Sequence, residues 1–300
     1  MESLKTILYF SIFRYPLTLE EISNFHPGTD GELIRAELNL LLERGIISQM
    51  DGFYFAGCDE TCIARRQNGN RMAADAMGIA RRRGALIAKF PFVEGVGVSG
   101  SLSKGYFDQE SDIDFFVVTR PGKVWVSRTL LMLYKKIFLL NSRRYFCINY
   151  FISSAHLELE EKNRFTATEI RTLIPVQGRA ALDSFYRQNK WVGDIFANFI
   201  PDLGNVPDIR KPVLSRMAEA ALDNRLGNKL DAAFRKATLK FWRIKFRDMP
   251  DPDFKVALKS TDAVSKHHPL NFQKRVMTAL NEKYDTFNRD HNIQLTREYV

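Results

Sequence analysis

Apolar residues at helical spacing open the chain. Residues 2–13 place hydrophobic side chains three and four positions apart and stop before Pro16, which predicts a first helix. Capping-box patterns at Thr18 and at Thr29, each with a glutamate three residues later, predict the starts of a second and a third helix. We expect the third helix to end at Gly45, because glycine often follows the last helical turn.

A short hairpin follows these helices. Residues 46–50 and 53–55 flank the pair Asp51-Gly52, which is typical of a two-residue type I′ turn. Three helices and a hairpin predict a winged-helix-like domain over residues 1–57. Its third helix is expected to turn a stripe of leucines toward the core, namely Leu33, Leu38, Leu41 and Leu42.

The pattern changes twice after residue 57. Residues 58–90 are polar and basic and predict a linker helix, and from residue 91 strands alternate with helices to about residue 180. Residues 181–300 are helical and amphipathic, most clearly at 213–246 and 271–287. We therefore expect an α+β protein, in which a small mixed sheet with flanking helices (91–180) lies between the winged helix and a helical C-terminal domain (181–300).

Charge is distributed unevenly along the chain. The formal net charge is +9; residues 1–57 hold four basic and eight acidic side chains, a balance of −4, so the remainder carries +13. A positive field favours acidic ligands such as nucleotides and polyphosphates. The acidic winged helix lacks the cations that DNA phosphates require, so we favour protein contact there, and nucleic-acid binding is the less favoured alternative.

Cysteine use and hydropathy bear on the compartment. The three cysteines cannot complete a zinc site, and a cytoplasmic protein with free thiols is the simplest interpretation. No signal peptide is recognisable at the start. The most apolar stretch, residues 124–140, contains Arg128, Lys135 and Lys136, which predicts a buried helix and no membrane partner.

Two aspartates indicate a metal site. Asp112 and Asp114 stand at alternate positions of a predicted strand that opens at Ser111, so their carboxylates share one face while Ile113 lies on the other. Neighbouring carboxylates repel each other without a cation. Mg²⁺ needs only one or two of them when substrate phosphates supply further ligands, so the pair is suited to one or two Mg²⁺ on a nucleoside triphosphate.

A glycine-serine turn before this strand supplies a complementary phosphate site. Gly100 lets the backbone approach a phosphate, and Ser101 offers a hydroxyl and an N–H group at the start of a short helix. Lys104 follows one turn later with Ser103 beside it, which adds a cation near the same phosphates. Either half alone is common, but the two together with this spacing are much less so.

The combined motif resembles the DNA polymerase beta-like nucleotidyltransferase superfamily, and it looks closest to the minimal and aminoglycoside nucleotidyltransferases. Their pattern, Gly-Ser-x-Ala/Ser-Arg-Gly followed by Ser-Asp-Ile-Asp, is met by residues 100–105 and 111–114, except that Lys104 replaces the usual arginine and loses its bidentate fork. The resemblance implies a nucleotidyltransferase fold. It also implies that Ser101 holds the triphosphate, that Asp112 and Asp114 bind Mg²⁺, and that Lys104 lies near the nucleotide.

Members of this superfamily usually carry a third acid on the next strand, as metal ligand and base. Here that strand, predicted over residues 143–152, offers Asn149 as its strongly polar interior residue, on one face with Cys147 and Phe151. An amide can ligate or hydrogen-bond, but it cannot act as a general base. Glu158 is the second candidate, provided that the strand extends that far.

Weaker signals have simpler interpretations. The pair His267-His268 lacks an acid or cysteine at ligand spacing and is interpreted as part of a turn. The arginine run 81–83 is interpreted as a solvated helix face in preference to a phosphate clamp. Trp125, Trp191 and Trp242 are expected in the core, and a basic helix around residues 235–247 is the best surface for a polyanionic acceptor or RNA.

These observations favour a Mg²⁺-dependent enzyme that transfers a nucleoside monophosphate from ATP or another triphosphate to a hydroxyl acceptor. Asn149 motivates one alternative, a weakly active or inactive nucleotide-binding sensor. The winged helix motivates another, a DNA-binding regulator or a toxin–antitoxin component. The acceptor, the preferred nucleotide and homodimer formation are left open.

Overall fold

The computed structural model describes residues 1–142 and 144–299. Its helices are α1 (Glu2–Ser11), α2 (Leu19–Asn24), α3 (Gly31–Glu43), α4 (Thr61–Ala88), α5 (Gly100–Ser103), α6 (Val124–Phe138), α7 (Arg164–Thr172), α8 (Arg179–Gln188), α9 (Val192–Ile195), α10 (Val213–Leu222), α11 (Arg225–Lys245), α12 (Asp251–Ala257) and α13 (Phe272–His291). Its strands are β1 (Leu17–Thr18), β2 (Ser48–Met50), β3 (Phe53–Phe55), β4 (Val93–Ser99), β5 (Asp114–Thr119), β6 (Cys147–Ser153), β7 (Ile174–Gln177) and β8 (Val264–Lys266).

The N-terminal helices pack beside a small three-stranded sheet in the order β1-β3-β2. Asp51 and Gly52 both have positive φ, at 52° and 78°, so the β2–β3 turn has the predicted conformation. The capping box at Thr18 is present, with its hydroxyl accepting from the backbone of Glu21. This order of helices and hairpin is the one expected, and its designation as a winged helix stays a prediction.

Two details of α3 differ from the prediction. Its N-cap is Asp30 instead of Thr29, because the Asp30 carboxylate accepts from the backbone N–H groups of Glu32 and Leu33. Leu33 is 68% exposed, and Ile34 faces the core in its place. Ile34, Leu38 and Leu41 are four and three residues apart and share one face of the helix, whereas Leu33 lies about 100° from Ile34 and points outward.

The expected linker helix, α4, is 28 residues long and packs along the central sheet. Its inward face is lined with small residues, among them Ala76, Ala80 and Gly84. A Cβ atom on Gly84 would lie 2.7 Å from Val176 on β7, so the close approach of helix and sheet depends on this glycine. The helix therefore forms one wall of the sheet's core.

The central sheet has five strands in the order β7-β4-β5-β6-β8. The pair β5–β6 is parallel and the other neighbours are antiparallel, as expected for a mixed sheet. One face packs against α4 and α6 through a set of buried residues: Val96, Val98, Phe115, Val117, Ile148 and Phe151. The opposite face packs toward α7, α8 and α13 through Phe116, Val118, Ile152 and Val264.

The C-terminal region departs from the purely helical prediction. Val264–Lys266 forms β8 and pairs antiparallel with β6, so this region contributes the fifth strand of the central sheet. The predicted segment 213–246 is two helices, because Asn224 caps α11 with its side chain and ends the continuity with α10. Within the ranges 1–142 and 144–299, no helix combines the length and the apolar character needed to span a bilayer.

Helix α11 is joined to the sheet region through a buried carboxylate. Oδ1 of Asp231 accepts hydrogen bonds from the backbone N–H groups of Trp125 and Val126, at 2.7 and 2.8 Å, at the start of α6. Trp125 and Trp242 lie in the core as expected, with ring centroids 6.2 Å apart, and Trp191 is half-buried at its margin. The division of the chain at residues 57, 90 and 180 stays a prediction.

Candidate active site

The two aspartates of the motif lie at the beginning of β5. The strand starts at Asp114 instead of Ser111, but Ile113 continues its hydrogen bonding, because its N–H donates to Arg144 and its C=O accepts from Cys147. Ile113 is fully buried between the two aspartates. Burial raises the pKa of Asp114 to about 7, and the charges of Asp112 and Glu169 act in the same direction.

Gly100 makes room for the Asp114 carboxylate. The residue before it, Ser99, pairs with Asp114 across β4 and β5, and Gly100 itself has a φ of +71°. A Cβ atom at this position would overlap Oδ2 of Asp114. Both the left-handed backbone and the close approach therefore require glycine.

The short helix α5 carries the two serines. The hydroxyl of Ser103 donates to the carbonyl of Gly100 at 2.9 Å, so it closes the turn. The half-buried Ser101 side chain makes no hydrogen bond with any residue in the described part of the chain, which leaves its hydroxyl available to a ligand.

Lys104 is held by two partners. Its Nζ donates to the carbonyl of Gly100 at 3.0 Å and lies 2.8 Å from Oε1 of Glu169 on α7. This contact brings a further carboxylate to the same edge of the sheet. The charge of Glu169 also raises the pKa of Asp114, so the two carboxylates lie near each other at this site.

Glu169 was not identified as a site residue from the sequence, because its contact with Lys104 depends on the packing of α7 beside α5. The N-cap of α7 is Asn163, whose side chain accepts from the backbone N–H of Thr166. Glu169 consequently lies in the second turn of the helix and points toward α5. The asparagine three residues before Thr166 was the signal that marks this start.

Asn149 lies directly beside Asp114. Its Nδ2 donates to Oδ1 of Asp114 at 2.6 Å, and its Oδ1 accepts from the thiol of Cys147 at 3.2 Å. The β5–β6 register slips here, with Ile148 opposite Phe115 and Tyr150 opposite Phe116, so Asn149 is the extra residue of a bulge.

Because of the bulge, the side chains of β6 do not alternate between the two faces as predicted. Phe151 lies on the α4 face with Ile148, and it does not share a face with Asn149. The strand begins at Cys147, and residue 143, its predicted first residue, lies outside the described residues.

Glu158, the second candidate for the third acid, does not reach the site, because strand β6 does not extend that far. Strand β6 ends at Ser153, and because β5 and β6 are parallel, that end lies beside Thr119, at the other end of the strands from Asp114. Glu158 follows in an exposed loop, with its carboxylate 2.7 Å from Nζ of Lys162.

Strand β8 adds a cation that sequence reasoning missed. Lys266 pairs with Tyr150 and is buried, and its Nζ donates to the amide oxygen of Gln273 at 3.1 Å. The next residue, His267, donates its N–H to the carbonyl of Asn149 at 2.9 Å. A three-residue strand between helices has too short a pattern to be recognised before the pairing is known.

Both histidines of the pair His267-His268 are half-buried. The imidazole of His267 packs against Trp242 with ring centroids 4.9 Å apart, and burial lowers the pKa of His268 to about 3. Over residues 1–142 and 144–299, no group of three or more histidine, cysteine, aspartate or glutamate side chains is arranged to hold a metal ion. Any cation at Asp112 and Asp114 therefore needs ligands from a substrate or from water.

Comparison with known protein families agrees with this geometry. Residues 79–170 match a family model described as a nucleotidyltransferase domain. The chain carries a nucleotidyltransferase domain. The match begins within α4 and takes in both aspartates, the Gly100 turn, Asn149 and Glu169.

The nucleotidyltransferase match agrees with the DNA polymerase beta-like superfamily and with the α+β fold class, and it supports nucleotidyl transfer as the general activity. Residues 1–78 and 171–300 lie outside it. No curated protein and no solved structure matches the chain.

Proposed function

We propose that the protein is a Mg²⁺-dependent nucleotidyltransferase, which moves a nucleoside monophosphate from a nucleoside triphosphate to a hydroxyl acceptor. The observation that carries this proposal is the placement of Asp114, two residues after Asp112, directly beside the Gly100-Ser101 turn. A metal-binding edge and a phosphate-binding turn then adjoin each other, as transfer from a triphosphate requires.

The residues present fit a divalent cation. Desolvation and the charges of Asp112 and Glu169 raise the pKa of Asp114 to about 7, which shows how poorly the protein alone stabilises the charge of this carboxylate. Asp112 and Asp114 would hold Mg²⁺, with substrate phosphates completing the ligand set. The ion would supply neutralisation of the charge that develops on the phosphates.

The neighbouring side chains divide the remaining work. The free hydroxyl of Ser101 and the backbone of the Gly100 turn would bind the phosphates. Lys104 would add positive charge at the same place, oriented by Glu169 through their 2.8 Å contact. Ser103 would act on the turn itself, because its hydroxyl already donates to Gly100.

In the proposed reaction the acceptor oxygen forms a bond to the α-phosphorus, and the bond from that phosphorus to the pyrophosphate oxygen breaks. Asn149 cannot take the hydroxyl proton, which passes to solvent. Phosphoryl-type transfer depends chiefly on positioning and electrostatic stabilisation, so this arrangement is compatible with turnover.

The test is incubation of the protein with α-labelled nucleoside triphosphates, Mg²⁺ and a pool of metabolites and RNA. We expect label on an acceptor with the wild-type protein and none with the double variant Asp112→Asn/Asp114→Asn. Equal labelling by the two proteins, or no labelling by either, would contradict the proposal.

A second candidate function is nucleotide sensing without turnover. The hydrogen bond from Asn149 to Asp114 favours it, because an amide occupies the place next to the aspartates where superfamily members usually carry an acid. Calorimetry would then show Mg²⁺-dependent binding of a triphosphate, with no pyrophosphate released over long incubation. Absence of triphosphate binding would refute both candidates.

A further inference from the structure

A cleft of about 490 Å³ lies between α4 and the segment that precedes β6. It is lined by Ile79, Arg82 and Arg83 from the helix and by Tyr145 from the segment. The Tyr145 side chain is 36% exposed, so its ring is open to a ligand. This is the part of α4 that carries the arginine run interpreted above as a solvated face.

The guanidinium groups at this cleft lack acidic partners. Neither Arg82 nor Arg83 forms an ion pair with any carboxylate in the described stretches of the chain. Arg144 lies behind the ring: its guanidinium is 5.5 Å from the Tyr145 ring centroid and donates to the carbonyl of Gln109 at 3.1 Å. Two cations without counterions beside one exposed aromatic ring form a site for an anion that also has a flat face to stack.

The cleft adjoins the two aspartates through the backbone. The N–H of Ile113 donates to the carbonyl of Arg144 at 2.8 Å, and the N–H of Cys147 donates to Ile113 at 3.0 Å. Residues 144–147 therefore run beside the residue that separates Asp112 from Asp114. The cleft lies at the same edge of the sheet as the aspartates, on the side of α4.

We propose that this cleft binds a nucleotide unit of a single-stranded polynucleotide, with a hydroxyl at its end as the acceptor of transfer. The direction of transfer rests on the proposed function, whereas the binding does not. Guanidinium groups match phosphate oxygens, and an exposed aromatic ring stacks with any base. Inorganic polyphosphate would contact the arginines but would have nothing to stack on Tyr145. In a double-stranded nucleic acid the faces of the bases are already stacked on each other, so a single strand fits the cleft better.

The binding can be tested with a fluorescently labelled single-stranded RNA of about 12 nucleotides, followed by anisotropy over a range of salt concentrations. Tyr145→Ala is expected to weaken binding about 5- to 150-fold, the loss typical of one stacked base. Arg82→Glu/Arg83→Glu should weaken it and lower the salt slope by about 0.7 for each phosphate contact removed.

Two matched controls separate a specific cleft from a general positive field. Arg81→Glu removes an exposed neighbouring arginine that does not line the cleft, and Tyr145→Phe keeps the ring; both should bind RNA close to wild type. Thermal unfolding of each variant checks that it is folded. An equal effect of Arg81→Glu and the double variant, no effect of Tyr145→Ala, or polyphosphate displacing RNA as well as unlabelled RNA does would each overturn the proposal.

Triphosphate binding distinguishes this inference from the proposed function. The cleft variants should keep Mg²⁺-dependent triphosphate binding, and Asp112→Asn/Asp114→Asn should keep RNA binding. Triphosphate binding without RNA binding by the wild type overturns the cleft proposal alone. RNA binding without triphosphate binding leaves the cleft in place and removes the proposed function.

Discussion

Replacing Asp114 by asparagine is expected to stabilise the metal-free protein above neutral pH, although the variant loses a proposed Mg²⁺ ligand. Burial raises the pKa of this carboxyl from the ordinary 3.8 to about 7. Such a group binds its proton more tightly in the folded than in the unfolded chain. The free energy of unfolding therefore falls as the pH rises from about 4 to about 7 and then levels off.

The size of the effect follows from the same two pKa values. At about 1.4 kcal/mol for each pKa unit, the wild type loses about 1.5 kcal/mol by about pH 5 and about 4 kcal/mol by about pH 8. Asparagine has the shape of the neutral carboxyl and can still accept the hydrogen bond from Asn149. The variant escapes the loss, so its advantage should grow with pH by about 2 to 3 kcal/mol.

Urea unfolding in the presence of a chelator, at about pH 5 and about pH 8, measures this difference. Asp75→Asn, on an exposed position of α4, serves as the control and should match the wild type at both values. An Asp114→Asn variant that is no more stable than the wild type at the higher pH, or whose advantage does not change with pH, would refute the reasoning. Added Mg²⁺ should stabilise the wild type and leave the variant unchanged.

Three further substitutions test the site and its support. Asn149→Asp places a second carboxylate where the amide now donates to Asp114 at 2.6 Å, so it should destabilise the metal-free protein by about 1–3 kcal/mol. It should also increase the affinity for Mg²⁺ and the rate of transfer. Titrating Mg²⁺ against the melting temperature measures the affinity, and label transfer measures the rate. Gly100→Ala should lower the free energy of unfolding by about 1–3 kcal/mol and abolish triphosphate binding. Gly31→Ala is the control and should do neither, because a Cβ atom there meets open space and the φ is ordinary. Urea unfolding measures the stability and calorimetry measures the binding. Asp231→Ala leaves two buried N–H groups of α6 unpaired and should cost about 2–4 kcal/mol in urea unfolding, whereas the same change at the exposed Asp248 should be neutral.

Local features of the site were predictable because they depend on short stretches of chain. The spacing of Asp112 and Asp114, and the glycine before a short helix, are set by backbone geometry within a few residues. The hairpin turn at Asp51 was predictable for the same reason. A glycine indicates a backbone position with positive φ, and alternating polar and apolar residues indicate the two faces of a strand.

Features that depend on distant segments were not predictable. Glu169 approaches Asp114 only because α7 packs beside α5, and its contact with Lys104 joins residues far apart in sequence. The bulge at Asn149 reverses the alternation of β6 and depends on pairing with β5. Strand β8 has three residues and is recognisable only from its partner, so a helical prediction for the whole C-terminal region was wrong.

The pairing of β8 with β6 has a consequence for the order in which the protein is made. A ribosome completes β6 long before it reaches Val264–Lys266, so until then the nascent chain exposes a bare strand edge that includes Asn149 and Tyr150. Contacts between segments that are far apart in sequence form slowly, and an unpaired strand edge can associate with other chains. Expression of residues 1–260 alone should therefore give aggregates, and assistance from a chaperone should matter most while the last strand is still being synthesised.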